Sequence, residues 1–86
     1  MHYQKERGHR HRVRLDATVT REGGHMVPAI VTDLSIDGCC LIGMFRIGER
    51  VTVQIPRVGK LDSEIRWSFM GRAGARFTRH AKTDAA

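Results

Sequence analysis

Apolar and polar residues alternate along most of this 86-residue chain, which is the period of a β-strand rather than of a helix. Leu15, Ala17 and Val19, for example, are separated by polar residues, and no segment carries the stripe of an amphipathic helix. The pattern predicts six strands, over residues 15–20, 26–34, 38–42, 49–55, 60–68 and 72–77.

Short clusters of Gly, Pro, Asp and Ser separate these strands, as expected of tight turns. The predicted turns cover residues 22–25, 35–38, 56–59 and 70–71, and a longer loop over 43–48 is expected to cross one end of the domain. Pro28 has no amide hydrogen, so it predicts a sheet edge or a bulge early in the second strand. In the fifth strand the period of two places Leu61, Ser63, Ile65 and Trp67 inside.

Six short strands at spacings near ten residues indicate an all-β domain, either an antiparallel barrel or a sandwich. Closure into a barrel would also remove exposed sheet edges from a small protein. With 86 residues the chain is expected to form one domain. The predicted organisation is a flexible basic arm over 1–13, a β-barrel over 14–78 and a frayed tail over 79–86.

Positive charge is concentrated at the beginning of the chain. Residues 1–14 contain five Lys or Arg and one acid, which is +4 of the formal net charge of +6. Twelve of the fifteen cations are arginine, whose planar fork suits bidentate recognition of anions. The segment is therefore interpreted either as a solubilising tail or as an arm that folds over a phosphorylated ligand.

Several classes of function are disfavoured by what the sequence contains. No apolar run approaches the length of a membrane span, and the N-terminus does not resemble a signal peptide, so a cytoplasmic protein is expected. Cys39 and Cys40 are adjacent, which favours free thiols over a disulfide. His9 and His11 have no third convergent ligand, so no metal site is predicted. No catalytic residues are predicted either, because no histidine or cysteine has an evident triad partner.

Two motifs provide the candidate chemistry. The arginine-rich segment 7–14 precedes the first strand, and the turn Asp33-x-Ser35-x-x-Gly38 joins the second strand to the third. Arginine forks can bind phosphates or the O6/N7 edge of guanine, and the turn offers a carboxylate, a hydroxyl and backbone amides. Together the motifs are expected to form two sides of one anion-binding site.

These two motifs, together with Trp67 and the closing segment 74–77, resemble a PilZ domain from about residue 6 to residue 77. The resemblance implies a six-stranded antiparallel β-barrel of the split-barrel type. It also implies that the ligand is the bacterial second messenger cyclic di-GMP, and no cofactor is expected. The second family motif, Asp/Asn-x-Ser-x-x-Gly, is complete here.

The first family motif, Arg-x-x-x-Arg, is incomplete. If Arg12 is taken as its second arginine, which keeps the apolar alternation of the strand in place, the position four residues earlier is Gly8. Arg7 or Arg10 would then replace the missing partner. Arg10 and Arg14 satisfy the literal spacing, but Arg14 would lie on the strand itself.

The resemblance assigns seven residues to ligand binding: Arg7, Arg10, Arg12, Asp33, Ser35, Gly38 and Trp67. Four of these residues also have a structural interpretation: Asp33 and Ser35 as the residues that close the turn, Gly38 as a backbone requirement, and Trp67 as part of the core.

The predicted function is a single-domain receptor or adaptor that binds cyclic di-GMP and passes the signal to a downstream protein. The alternative is a degenerate PilZ domain that has lost the nucleotide and acts as a protein-interaction module, as Gly8 suggests. Nucleic acid is a less favoured partner, because only five aromatic residues are present.

Overall fold

The protein is described by a computed structural model that covers residues 10–79. Six strands are present: β1 (His11–Thr20), β2 (Met26–Leu34), β3 (Gly38–Ile42), β4 (Arg50–Ile55), β5 (Gly59–Phe69) and β6 (Arg72–Arg79). All neighbouring strands are antiparallel, and they form a closed barrel in the order β1-β2-β3-β6-β5-β4. The pairing of β4 with β1 closes the barrel, which confirms the predicted fold class.

The strand boundaries differ little from the predicted ones, except at β1. This strand begins at His11 and not at Leu15, because His11 pairs with Leu34 and Arg12 pairs with Asp33 on β2. Residues 11–13 of the predicted arm are therefore part of the sheet. The first nine residues, including Arg7 and Gly8, lie outside the described part of the chain.

The core lies inside the barrel and receives a side chain from every strand. Each strand contributes at least one residue with no solvent exposure: Val19, Val31, Leu41, Val53, Ile65 and Ala73. Burial of a Val, Leu or Ile side chain contributes about 1.5–3 kcal/mol, so this column of residues is a main source of stability. Phe45, from the loop after β3, is also buried.

An ion pair fastens this loop to the hairpin between β1 and β2. Arg21 donates two hydrogen bonds to the Glu49 carboxylate, each 2.8 Å long, and its guanidinium lies 4.9 Å from the centre of the Phe45 ring. The backbone amide of Arg46 donates a third bond to Glu49. The hydrogen bonds from Arg21 lower the pKa of Glu49, and those same bonds raise the pKa of Arg21.

Three of the four register shifts in the described strands lie near one part of the barrel's outer surface. The pairing shifts between Arg12 and Leu15 on β1, on β2 just before Asp33, and between Ile65 and Trp67 on β5. A bulge adds one residue to a strand and changes the face to which the following side chains point.

The bulge in β5 explains one wrong prediction. Trp67 was expected inside the barrel, but it is 43% exposed. Ile65 pairs with Ala75 and Trp67 pairs with the next residue, Gly74, so Arg66 is the extra residue. The period of two ends at this point, and Arg66 and Trp67 are both exposed.

The other local expectations agree with the structure. Pro28 pairs with Thr18 on β1, while the pairing of β2 with β3 begins only at Ile30, so Pro28 lies where β2 has no β3 neighbour. Cys39 and Cys40 are both free thiols; Cys39 is buried and Cys40 is half-buried.

Candidate ligand-binding groove

Five residues from five strands form one transverse row across the sheet. Arg12 on β1 pairs with Asp33 on β2, Asp33 with Cys40 on β3, Cys40 with Gly74 on β6, and Gly74 with Trp67 on β5. Residues directly opposite each other in antiparallel strands have neighbouring side chains on the same face. The row therefore brings the start of β1, the polar turn and the tryptophan together.

A groove of about 640 Å³ follows this row on the outside of the barrel. It is lined by residues from β2, β3, β5 and β6, the turn before β3 and the residue before β1: Arg10, Asp33, Leu34, Ser35, Asp37, Gly38, Cys39, Cys40, Arg66, Trp67, Gly74, Ala75 and Arg76. Three arginines and two aspartates in this lining give the groove a positive formal charge. Such a groove suits an anionic ligand with flat, apolar parts.

The structure places five of the seven predicted site residues in the groove lining. Arg12 is a sixth, at its border, where its Nε lies 4.0 Å from Asp33 Oδ1. The Arg12 side chain is 89% exposed, so this long contact does not immobilise it. Arg7 lies outside the described residues.

Ser35 closes the turn before β3. Its hydroxyl accepts hydrogen bonds from the backbone amides of Asp37 (3.2 Å) and Gly38 (3.3 Å), and its own amide donates to the Gly38 carbonyl (2.9 Å). The turn is anchored to β6 by a bond from the Phe77 amide to the Asp37 carbonyl. The side-chain hydrogen bonds of the turn thus come from Ser35, and the Asp33 carboxylate faces Arg12 instead.

Gly38 is required by the packing of two strands. A Cβ atom at this position would lie 2.2 Å from the backbone oxygen of Ala75 on β6. Any side chain would therefore push β3 away from β6. The glycine of the motif therefore allows the backbone of β3 to lie close to the backbone of β6.

Gly74 leaves the space that the Trp67 indole occupies. A Cβ atom on Gly74 would lie 2.0 Å from Nε1 of the Trp67 indole and 2.5 Å from its Cε2. The indole can lie against β6 only because this position has no side chain. Glycine in a strand interior often marks such a close approach.

Cys40 lies between Asp33 and Gly74 in the row, and the groups around its thiol change the pKa of that thiol. Burial raises the pKa of Cys40; the nearby Asp33 carboxylate raises it further, while Arg10 lowers it. Arg10 and Asp33 therefore both act on the middle of the groove. Burial raises the pKa of the neighbouring Cys39 to about 12, which keeps that thiol protonated at neutral pH.

Sequence reasoning did not identify Arg66, Arg76 and Gly74 as groove residues. Arg66 belongs to the groove because of the β5 bulge, and Arg76 because it pairs with Gly38 of the turn. The segment 74–77 contributes to the family resemblance, but nothing in its sequence indicates a contact with Trp67.

Between residues 10 and 79 no group of three or more His, Cys, Asp or Glu side chains could hold a metal ion. The same part of the chain contains no helix of the length and hydropathy needed to cross a membrane.

Comparison with known proteins agrees with this fold. The family model described as PilZ domain matches residues 4–86, nearly the whole chain. A solved structure, the PilZ domain of CeSA from a cellulose-synthesizing bacterium, is similar with a TM-score of 0.73 and 20% sequence identity. The match covers 84% of this chain and 82% of that one. No curated protein matches the sequence.

Proposed function

This chain belongs to the PilZ domain family, and from that membership we propose that it is a cytoplasmic receptor for cyclic di-GMP. The groove across β2, β3, β6 and β5 is the proposed binding site. Most of its lining comes from the barrel wall, Arg10 directly precedes β1, and Arg12 lies on β1 at the border of the groove.

The observation that carries the proposal is the single row from Arg12 through Asp33 to Trp67. Cyclic di-GMP combines two phosphodiesters with two guanines, so it needs cations, a carboxylate for the guanine N1/N2 edge and a flat apolar surface. These three kinds of group occur at intervals across one groove. The Asp33 carboxylate is the proposed acceptor for guanine, and the exposed indole of Trp67 is the proposed surface for a base.

The phosphates are assigned to arginines on two sides of the groove. Arg10 and Arg12 lie beside Asp33, and Arg66 and Arg76 line β5 and β6. Guanidinium groups bind phosphate oxygens through two parallel hydrogen bonds. Arg66 and Arg76 add cations to those of the incomplete Arg-x-x-x-Arg motif. The groove can therefore bind phosphate although Gly8 stands where the motif has an arginine.

Ser35 and Gly38 have indirect roles in this proposal. Ser35 maintains the turn, and Gly38 allows β3 to pack closely on β6. Asp33 and Asp37 are thereby held at the groove. We further propose that nucleotide binding beside Arg10 and Arg12 is recognised by a downstream protein.

Titration calorimetry with cyclic di-GMP tests the proposal. Arg12→Ala and Asp33→Ala are each expected to weaken binding about 10- to 100-fold, because each removes a charge-assisted bond of about 1.5–3 kcal/mol. Asp16→Ala is the matched control, since Asp16 is exposed on β1 outside the groove lining. Unchanged affinity in both groove variants would rule out the proposed site.

A second candidate function is a degenerate PilZ domain that binds a protein and no nucleotide. Gly8, in the position of a motif arginine, favours it. If the wild type gives no heat with cyclic di-GMP but Gly8→Arg does, the degenerate form is supported. Binding by the wild type itself would exclude this candidate.

A further inference from the structure

A second surface, separate from the groove lining, combines exposed apolar side chains with one arginine. Its members are Ile42 at the end of β3, Met44 in the following loop, Phe69 and Met70 at the β5–β6 turn, and Arg72 at the start of β6. Met44, Phe69 and Met70 are 74%, 70% and 84% exposed. This surface is called the Arg72 face below.

The pairing of the strands makes these residues neighbours. Arg72 lies opposite Ile42 on β3 and opposite Phe69 on β5, so it lies between two exposed apolar side chains. The Gly43 amide donates to the Gly71 carbonyl, which holds the loop carrying Met44 against the β5–β6 turn. The five side chains therefore come from two adjacent chain reversals at one end of the sheet.

Apolar residues grouped in this way typically mark an interaction site. Large exposed apolar side chains are common singly, but a contiguous set points to a partner. Aromatic residues, Met and Arg are the residue types enriched in protein interfaces, whereas Lys and Glu are depleted. The Arg72 face contains one aromatic residue, two methionines and one arginine.

The charge of the central residue specifies the kind of partner. Within residues 10–79 the ion pairs involve Arg12, Arg21 and Arg66, and none involves Arg72. Burying an unpaired guanidinium against another protein would be costly, so a stable complex needs a carboxylate opposite Arg72. An apolar partner without an acid would not meet this requirement.

We propose that the Arg72 face docks a protein segment that presents an Asp or Glu flanked by aromatic or aliphatic side chains. The carboxylate pairs with Arg72, and the apolar residues cover Phe69, Met70, Met44 and Ile42. None of these five residues lines the groove, so this proposal does not depend on cyclic di-GMP binding.

The test uses a displayed library of random peptides of about twelve residues, selected against the wild-type chain. Selected peptides are then synthesised, and their affinities are measured by fluorescence anisotropy. We expect the binders to be enriched in acidic residues next to aromatic or aliphatic ones. Arg72→Glu and Phe69→Ser should each weaken binding at least about tenfold, as expected for central interface residues.

Two controls make the result specific. Lys60→Glu changes the same charge on an exposed part of β5 away from the face and should leave affinity within about twofold. A peptide whose acid is replaced by Lys should bind Arg72→Glu better than it binds the wild type. Circular dichroism of each variant checks that the barrel is folded.

Three outcomes would overturn the proposal. The first is that no peptide binds, or that the binders lack acidic residues. The second is that folded Arg72→Glu binds the acidic peptides as well as the wild type does. The third is that sedimentation detects a wild-type dimer that Arg72→Glu abolishes, because the occupant of the face would then be a second copy of this chain.

Discussion

Replacement of Glu49 by Gln is expected to destabilise the barrel more than the same exchange at Glu64, a more exposed carboxylate. Glu49 accepts two 2.8 Å bonds from Arg21 and a 3.1 Å bond from the Arg46 amide. Its side chain is only 8% exposed, and that of Arg21 is 26% exposed. These contacts link the β1–β2 hairpin to the loop that carries the buried Phe45.

The expected cost follows from these bonds. Hydrogen bonds to charged groups contribute about 1.5–3 kcal/mol each, but the partial exposure of Arg21 weakens them by solvent screening. A glutamine keeps one acceptor oxygen and turns an amide donor toward the Arg21 guanidinium. We therefore expect a loss of about 2–3 kcal/mol, a large part of the roughly 5–15 kcal/mol by which such domains are stable.

Urea and thermal denaturation would measure this loss. For a domain of this size, about 2–3 kcal/mol corresponds to a decrease in Tm of roughly 10–20 °C. The matched control is Glu64→Gln, since Glu64 lies 3.9 Å from Arg66 and both side chains are more than one-third exposed. That exposed pair is expected to contribute no more than about 1 kcal/mol.

The pH dependence gives a second measurement. Because the pKa of Glu49 is lower in the folded protein, its contribution is present above the pKa of an unfolded glutamate and is lost as the pH falls through the folded value. The difference in stability between wild type and Glu49→Gln should therefore shrink as the solution is acidified. Equal costs for Glu49→Gln and Glu64→Gln at neutral pH would refute this reasoning.

Three further predictions concern the groove. Gly38→Ala should destabilise the barrel by about 1–3 kcal/mol, because the added Cβ would overlap a β6 backbone oxygen; a urea midpoint equal to that of the wild type would contradict this. Gly74→Ala should displace the indole of Trp67 and shift its fluorescence to longer wavelength. An unchanged emission spectrum would count against the close contact between the indole and Gly74. Cys40 should react slowly with a thiol reagent in the folded protein, and the reaction should be faster at high pH. Cys39 should react only after denaturation. Equal reaction rates of the two thiols in the folded protein would disagree with their different burial.

The sequence predicted the barrel well because its strands follow local rules. Alternation of apolar and polar residues and the presence of turn residues can both be recognised from short stretches of sequence. Met70-Gly71 is one such predicted turn, and both residues have positive φ in the structure. The start of β1 was less predictable, because the segment from His11 to Arg14 contains only one apolar residue. Its strand conformation depends on pairing with β2, which the segment itself does not encode.

The site was predicted only in part for the same reason. Asp33 and Ser35 belong to a contiguous motif, and the polar turn lies beside the end of the arm because β1 and β2 form a hairpin. Arg66, Arg76 and the outward position of Trp67 depend on a bulge and on the register of β3, β6 and β5. Such long-range pairing leaves little signal in one sequence.

The position of Trp67 on β5 has a practical consequence. It lines the groove and lies two residues before Phe69 on the same strand, so the only tryptophan of the chain is close to both the groove and the Arg72 face. Its emission should therefore respond to occupation of either surface without any attached dye. Titrating cyclic di-GMP in the presence of a peptide bound to the Arg72 face would then show, from tryptophan fluorescence alone, whether binding at one surface strengthens or weakens binding at the other.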